Sequence, residues 1–139
     1  MGRLSYLLDS NIISEPSRPK PSAKVQDRLQ ANYPKACTAA PVLHELHYGL
    51  ERMPEGRRKS ELSDYLERAL HPLIVLPYDH EAALWHAKER ARLTALGRTP
   101  PLGDSMIAAI ARVNDLILVT RNTDDFADFT ELRVENWFA

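Results

Sequence analysis

The chain is expected to fold as an α/β domain, with a central, mostly parallel sheet covered by helices on both faces. Three observations carry this expectation. Short runs of Leu, Ile and Val alternate with segments whose apolar residues recur at helical spacing. Proline and glycine separate these segments at Pro77, Gly97 and Pro100-Pro101. Strands that alternate with helices are joined by crossovers, which makes neighbouring strands parallel and buries both faces of the sheet.

Taken in order, Leu4-Ser5-Tyr6-Leu7-Leu8 reads as a buried first strand ending at Asp9. The proline-rich stretch from Glu15 to Pro21 should hold no regular structure, because each proline removes a donor and restricts the residue before it. Ser22 is placed to cap a short helix carrying Val25 and Leu29 on one face. Ala36-Cys37-Thr38-Ala39 suits a second strand. Pro41 then pre-organises a helix on which Val42, Leu46, Gly49 and Leu50 share a side, and Met53-Pro54-Glu55-Gly56 ends it. Residues 57–71 read as the next helix, with Leu62, Leu66, Ala69 and Leu70 as its apolar face.

Leu73-Ile74-Val75-Leu76 is the third strand, stopped by Pro77. Asp79 caps a long helix that runs to Gly97, where glycine suits a left-handed C-terminal cap. Another helix starts near Asp104, and Leu116-Ile117-Leu118-Val119-Thr120 forms a fourth strand. A helical turn around Asp124–Asp128 and a last strand near Leu132–Val134 complete one domain over residues 1–139, with no repeat or linker.

Composition narrows the function classes. A net charge of −1 means that a nucleic-acid partner must be held by a local basic patch. Cys37 is the only cysteine, which excludes an intrachain disulfide and a multi-cysteine zinc site and fits a reducing cytosol. No segment approaches the apolar length needed to span a bilayer, so the expected location is cytoplasmic, with no membrane partner.

Asp9, Glu45 and Asp104 all border or interrupt apolar runs. An acid in such a setting is costly to desolvate unless it is paired, hydrogen-bonded or bound to a cation. Sites in open parallel sheets form beyond the carboxyl ends of the strands, where Asp9 and the segment from Thr120 to Asp125 emerge. Converging carboxylates repel one another unless a cation neutralises them, and hard oxygen ligands without clustered Cys or His suit magnesium or manganese. The chemistry implied is metal-assisted hydrolysis. Each acid also has an ordinary reading: a turn former at Asp9, an exposed and base-paired helix residue at Glu45, a helix cap at Asp104.

These residues fall within four ordered motifs. They are Tyr6-Leu7-Leu8-Asp9-Ser10-Asn11-Ile12-Ile13-Ser14-Glu15, Val42-Leu43-His44-Glu45-Leu46-His47-Tyr48-Gly49-Leu50, Asp104-Ser105-Met106-Ile107-Ala108-Ala109 and Leu118-Val119-Thr120-Arg121-Asn122-Thr123-Asp124-Asp125-Phe126. The set resembles the PIN-domain ribonucleases, and within them the VapC toxins of toxin–antitoxin pairs, including the FitB-like branch. The resemblance implies a three-layer α/β/α sandwich and a Mg²⁺- or Mn²⁺-dependent endoribonuclease acting on RNA. It further implies a cognate antitoxin whose C-terminal segment fills the active-site groove, a homodimer, and contact with operator DNA only through the antitoxin.

Carried over by motif, Asp9, Glu45 and Asp104 are the acids of the site, with Asp9 and Asp104 on the metal. Asn11 would support Asp9 or the metal's water shell, and Thr120 would orient water or phosphate. Asn122 departs from the pattern, since many relatives have Asp there; its neutral oxygen can hold a metal-bound water but adds no charge. Asp125 also matches a family acid, so Asn122 and Asp125 are the expected outer members, while Asp124 faces solvent.

Other features invite competing readings. His44-Glu45-Leu46-His47 has its histidines three apart rather than the four a zinc-protease helix requires, so both are expected to pack or face solvent. Arg52, Arg57, Arg58 and Lys59 form one basic run and Lys88, Arg90, Arg92 and Arg98 another; Glu51, Glu55, Glu61 and Glu89 can pair with them on solvated faces. Tyr48, Leu50, Tyr65 and Leu66 can furnish an apolar groove or simply core. Two further functions fit parts of the pattern: an α/β phosphoryl-transfer domain using Asp9, and a non-catalytic PIN-fold binding module, the latter motivated by Asn122.

Overall fold

In the computed structural model, which describes residues 3–139, the first strand β1 (Tyr6–Leu8) lies at the centre of a five-stranded parallel sheet. β2 (Ala36–Ala39) and β4 (Ile117–Val119) flank it, with β3 (Val75–Leu76) and β5 (Val134–Glu135) at the edges, giving the order β3-β2-β1-β4-β5. Leu7 stands opposite Cys37 on one side and Leu118 on the other. Leu7, Leu8, Cys37, Leu118 and Val119 are completely buried, as expected of central strands covered on both faces. The edge strands are shorter than expected: β3 keeps only Val75 and Leu76, and β5 is displaced to Val134–Glu135.

Six helices, α1 (Ser10–Ser14), α2 (Ala23–Asn32), α3 (Ala40–Glu51), α4 (Arg57–Leu70), α5 (His80–Ala95) and α6 (Leu102–Val113), complete the α/β/α sandwich. Their ends follow from the sequence. Ser22 Oγ accepts from the Val25 N–H at 3.3 Å and Asp79 Oδ1 from the Ala82 N–H at 3.0 Å, each satisfying an otherwise orphaned donor. Gly97 adopts φ +75°, and Arg98 N–H returns to the Leu93 carbonyl at 2.8 Å to close α5.

Two local expectations are corrected. Glu15–Ser17 forms a 3-10 turn inside the proline-rich stretch, because Pro16 occupies an early position of the turn where its missing N–H costs nothing. α6 starts at Leu102, so Asp104 lies in its first turn instead of capping it. The residue before the helix is Pro101, whose extended ψ of 144° ends the preceding loop.

Glu15 and Glu89 are buried acids that the sequence pattern did not single out. Glu15 Oε2 accepts from the Ser22 N–H at 2.8 Å and pairs with Arg18 at 3.4 Å. Glu89 accepts two hydrogen bonds from Arg92, at 2.9 and 3.0 Å, and others from the Thr130 N–H at 2.7 Å and the Thr130 hydroxyl at 3.3 Å. It therefore ties α5 to the segment before β5. At the C-terminus, buried Trp137 sets its ring edge-on to Tyr6 at 5.2 Å and holds the tail against the sheet.

Candidate active site

The site begins where β1 runs out. Asp9 is 5% exposed, and its N–H completes the sheet by donating to the Val119 carbonyl at 2.9 Å. Its Oδ1 accepts from the Ser10 N–H at 2.8 Å and thereby caps α1. Its Oδ2 accepts from the Thr120 hydroxyl at 2.7 Å and from Asn11 Nδ2 at 3.4 Å. The adjacency of β1 and β4 brings Asp9 and Thr120 together across the whole domain. Asn11 also accepts from the Arg121 N–H at 3.0 Å, so it fastens the turn after β4 to α1.

Burial raises the Asp9 pKa; hydrogen bonds from Thr120, Ser10 and Asn11 oppose this, and the Asp125 charge adds to it. Asp104, half-buried on α6, is pushed up to about 6, first by desolvation and then by the charges of Asp9, Asp125 and Glu45. Asp9, Asp125 and Glu45 are thus close enough for their charges to act on Asp104. Glu45 is largely exposed, in contrast to the apolar setting of its sequence motif. It lies on α3 with Oε2 accepting from the Ser10 hydroxyl at 2.9 Å. Its pKa is also raised, by desolvation of the carboxyl end, with the Ser10 bond lowering it and the Asp9 charge raising it.

Ser10 thus holds one acid with its backbone and another with its side chain. Ser10→Ala should leave Asp9 in place but free Glu45, reducing RNA cleavage about tenfold, the scale of one hydrogen bond to a charged group. Ser10→Thr should restore it; equal rates in wild type and Ser10→Ala would show that Glu45 needs no such restraint.

At the fourth motif the two outer candidates separate. Asn122 is exposed and offers its backbone N–H to Thr120 Oγ1 at 3.1 Å, while its side-chain amide forms no hydrogen bond among the described residues. Asp125, in the 3-10 turn Thr123–Phe126, is the residue whose charge reaches Asp9 and Asp104.

The model of one family, described as PIN domain, matches residues 6–132. The chain belongs to the PIN domain family. Among relatives of this PIN domain, the "tRNA(fMet)-specific endonuclease VapC" of Shigella flexneri is 38% identical over 136 residues, covering 96% of this chain and 98% of the relative. "Toxin FitB" of Neisseria gonorrhoeae is 34% identical over 128 residues, covering 86% and 89%. Among solved structures, DNA-bound VapBC from Salmonella typhimurium superposes with a TM-score of 0.83 at 29% identity, covering 96% of this chain and 98% of that one.

The remaining motifs of the PIN domain resolve into ordinary roles. His47 is exposed, and His44 stacks on Tyr48 with ring centroids 6.1 Å apart. Arg57 pairs with Glu61 at 2.9 Å, Lys59 with Glu55 at 2.6 Å and Arg92 with Glu89 at 2.9 Å, while Arg52 lies over the Tyr48 ring at 4.9 Å. The expected apolar groove keeps Leu50 and Leu66 in its lining but loses both tyrosines. Tyr48 points to solvent and Tyr65 donates to the Ile13 carbonyl. The groove, of about 370 Å³, runs from Ser10, Asn11 and Glu45 between α3 and α4, past Leu46, Leu62 and Leu66.

The donor set fits a hard divalent cation. Every group at the centre offers oxygen, and the raised acids gain from a positive charge. Among the described residues, no three His, Cys, Asp or Glu side chains converge tightly enough to enclose an ion by themselves. This is compatible with magnesium, which takes one or two carboxylates and keeps several waters.

Proposed function

We propose that this PIN domain is the ribonuclease toxin of a toxin–antitoxin pair, hydrolysing RNA phosphodiester bonds with Mg²⁺ or Mn²⁺ held by Asp9 and Asp104. The observation that carries this reading is the convergence at the end of β1, where Ser10 binds Asp9 and Glu45 at once and Thr120 from β4 binds Asp9. The charges felt by Asp104 add to it. The names of the relatives, an endonuclease and a toxin, support the same activity. When bound, the cation would lower the pKa of a water and stabilise charge on the phosphate.

The chain's own residues do the positioning. Thr120 and Asn11 orient Asp9, Ser10 orients Glu45, and Glu45 and Asp125 lie where they can accept a proton from attacking water. Asn122 offers a neutral oxygen at the rim. The groove between α3 and α4 suits the C-terminal segment of a cognate antitoxin, which would block the centre from RNA. The active unit is a single domain that pairs as a homodimer and meets operator DNA only through the antitoxin.

A phosphoryl-enzyme reading is disfavoured because Asp9-Ser10-Asn11 lacks the paired Asp of the phosphatase pattern and no Lys follows the strand ending at Thr120. The non-catalytic reading is separated by a metal titration. Asp104 in the folded protein titrates at about 6 against an ordinary 3.8, so folding takes up protons in this interval. Stability from this group is therefore present at low pH and lost as pH rises through about 6; Asp9 and Glu45, also raised, act with the same sign. A cation favours the deprotonated centre. Mg²⁺ or Mn²⁺ should therefore raise the melting temperature more at pH 8 than at pH 5. Equal shifts at both pH values, or none, in thermal melts would count against a metal at these acids.

A further inference from the structure

One pocket lies outside the acidic centre and carries the opposite charge. It is a cavity of about 380 Å³ between α5, the loop of residues 96–101 and the first turn of α6, lined by His86, Arg90, Thr94, Arg98 and Ser105 among others. His86 is 5% exposed. Its Nδ1 shares a hydrogen bond with the Tyr78 hydroxyl at 2.7 Å, while Nε2 is buried without a partner. An unpaired ring nitrogen in the wall of a cationic pocket is a cost that an incoming oxyanion would remove.

The two arginines are differently committed. Arg98 shares its guanidinium with Asp128 at 2.9 Å, whereas Arg90 has no carboxylate partner among the described residues. Arg90 therefore differs from Arg57, Lys59 and Arg92, whose charges nearby acids neutralise. A polyanion approaching a cluster of carboxylates needs such an uncommitted cation close by, because the chain as a whole carries a net charge of −1.

The pocket borders a second cleft that reaches the candidate active site. Leu102, 61% exposed, lines both this pocket and a cleft of about 490 Å³ whose walls include Pro41, Glu45, Tyr78 and Met106. Tyr78 faces that cleft and holds His86 from behind. Ser105 in the pocket wall follows Asp104 directly.

Resting on the nuclease reading above, we propose that this pocket holds a backbone phosphate of the bound RNA strand, away from the scissile one. Arg90 and Arg98 neutralise the phosphate. In the tautomer with the proton on Nε2, Nδ1 accepts from the Tyr78 hydroxyl and the Nε2 proton is the one offered to the anion. Nε2 is fully covered, so engaging it takes a small parting of the pocket wall as the phosphate enters. Burial and the Arg90 charge lower the His86 pKa, which keeps the ring in this neutral, donating form. The RNA would run from the acids, along the cleft beside Leu102, and into the pocket.

The test uses the full chain with Mg²⁺ or Mn²⁺ and a labelled single-stranded RNA of mixed sequence. Arg90→Gln and Arg98→Gln should each raise KM about tenfold with little change in kcat. Each should also lower the slope of log KM against log salt by about one. Arg133→Gln, which removes a cation paired with Asp115 at the opposite end of the sheet, should change neither. In the Asp9→Asn variant, expected to bind without cutting and used below its melting temperature, the ¹⁵N signal of His86 Nε2 should move on addition of the RNA and also of inorganic phosphate.

If wild type cleaves RNA while KM and salt slope are unchanged in both arginine variants, the pocket assignment is overturned and the nuclease reading stands. A His86 signal that moves with inorganic phosphate but not with RNA overturns it too, in favour of a small phosphate ligand. Wild type that neither binds nor cleaves RNA removes the nuclease reading, and the assignment with it.

Discussion

Asp104→Asn is expected to reduce metal-dependent RNA cleavage by about a thousandfold or more while making the metal-free protein more resistant to heat at neutral pH. On the proposed function, loss of the carboxylate removes a metal ligand that a neutral amide replaces poorly. The gain in stability has a separate cause. In the folded protein Asp104 is desolvated beside the charges of Asp9, Asp125 and Glu45, so its ionised form is unfavourable above about pH 6. An amide of the same shape escapes that repulsion. A residue with a merely structural role would lose stability and activity together.

Asp9→Asn is a less clean probe. The Asp9 oxygens accept from Thr120, Asn11 and Ser10, and an amide nitrogen in place of Oδ2 would face donors. That variant should lose activity and about 1–3 kcal/mol of stability together. Cleavage rates with Mg²⁺ or Mn²⁺ and thermal melts without metal, run on both variants, separate the two effects. Cleavage by Asp104→Asn within tenfold of wild type would remove Asp104 from the metal site.

Glu89→Ala should be the most damaging charge removal far from the acids, costing about 2–3 kcal/mol at pH 7 and lowering the melting temperature by roughly 5–10 °C. The estimate is held below the full value for a buried pair because Arg92 is itself substantially exposed. The Thr130 N–H would lose its acceptor, and Arg92 would keep only the Asp128 carbonyl, to which its Nη2 donates at 2.7 Å. Bonds from Arg92, together with those from Thr130, hold the Glu89 carboxyl at about 2, below its ordinary 4.5. A depressed acid contributes stability that is present above pH 4.5 and lost as pH falls towards 2. The gap between wild type and variant in thermal melts should therefore narrow in acid, and a gap independent of pH would mean that packing rather than charge makes the contribution. Below its melting temperature the variant should still cleave RNA.

The contrast between these acids shows what could be read from the sequence. Asp9 was legible because it ends a continuous apolar strand, and Asp104 because it opens an apolar helix. Glu45 was found by its motif, but its surroundings were misjudged: Val42 and Leu46 beside it in sequence point to the core, and the acid lies on the other side of α3. Glu89 was assigned to a solvated face as a partner of the basic run because Lys88 and Arg90 flank it; it does pair with Arg92, but it shares a stripe with Ala82, His86 and Leu93, all buried on α5. Helical spacing carried that signal, and the local charge run concealed it. Glu15 left no comparable trace; its burial depends on the chain folding back so that the Ser22 N–H can reach it. The choice between Asn122 and Asp125 also lay beyond periodicity, since a 3-10 turn decides which side chain reaches the acids.

The order β3-β2-β1-β4-β5 has a consequence for the cell that makes this protein. Asp9 is synthesised almost at once, but the hydroxyl that orients it belongs to Thr120, and Asp125 follows later still. Because β4 pairs directly with β1, the central strand lacks one of its two neighbours until residues 117–119 have left the ribosome. A nascent or prematurely terminated chain would therefore contain Asp9, Glu45 and even Asp104 without the framework that joins them. The topology leaves these acids unjoined until β4 has been made and has paired with β1.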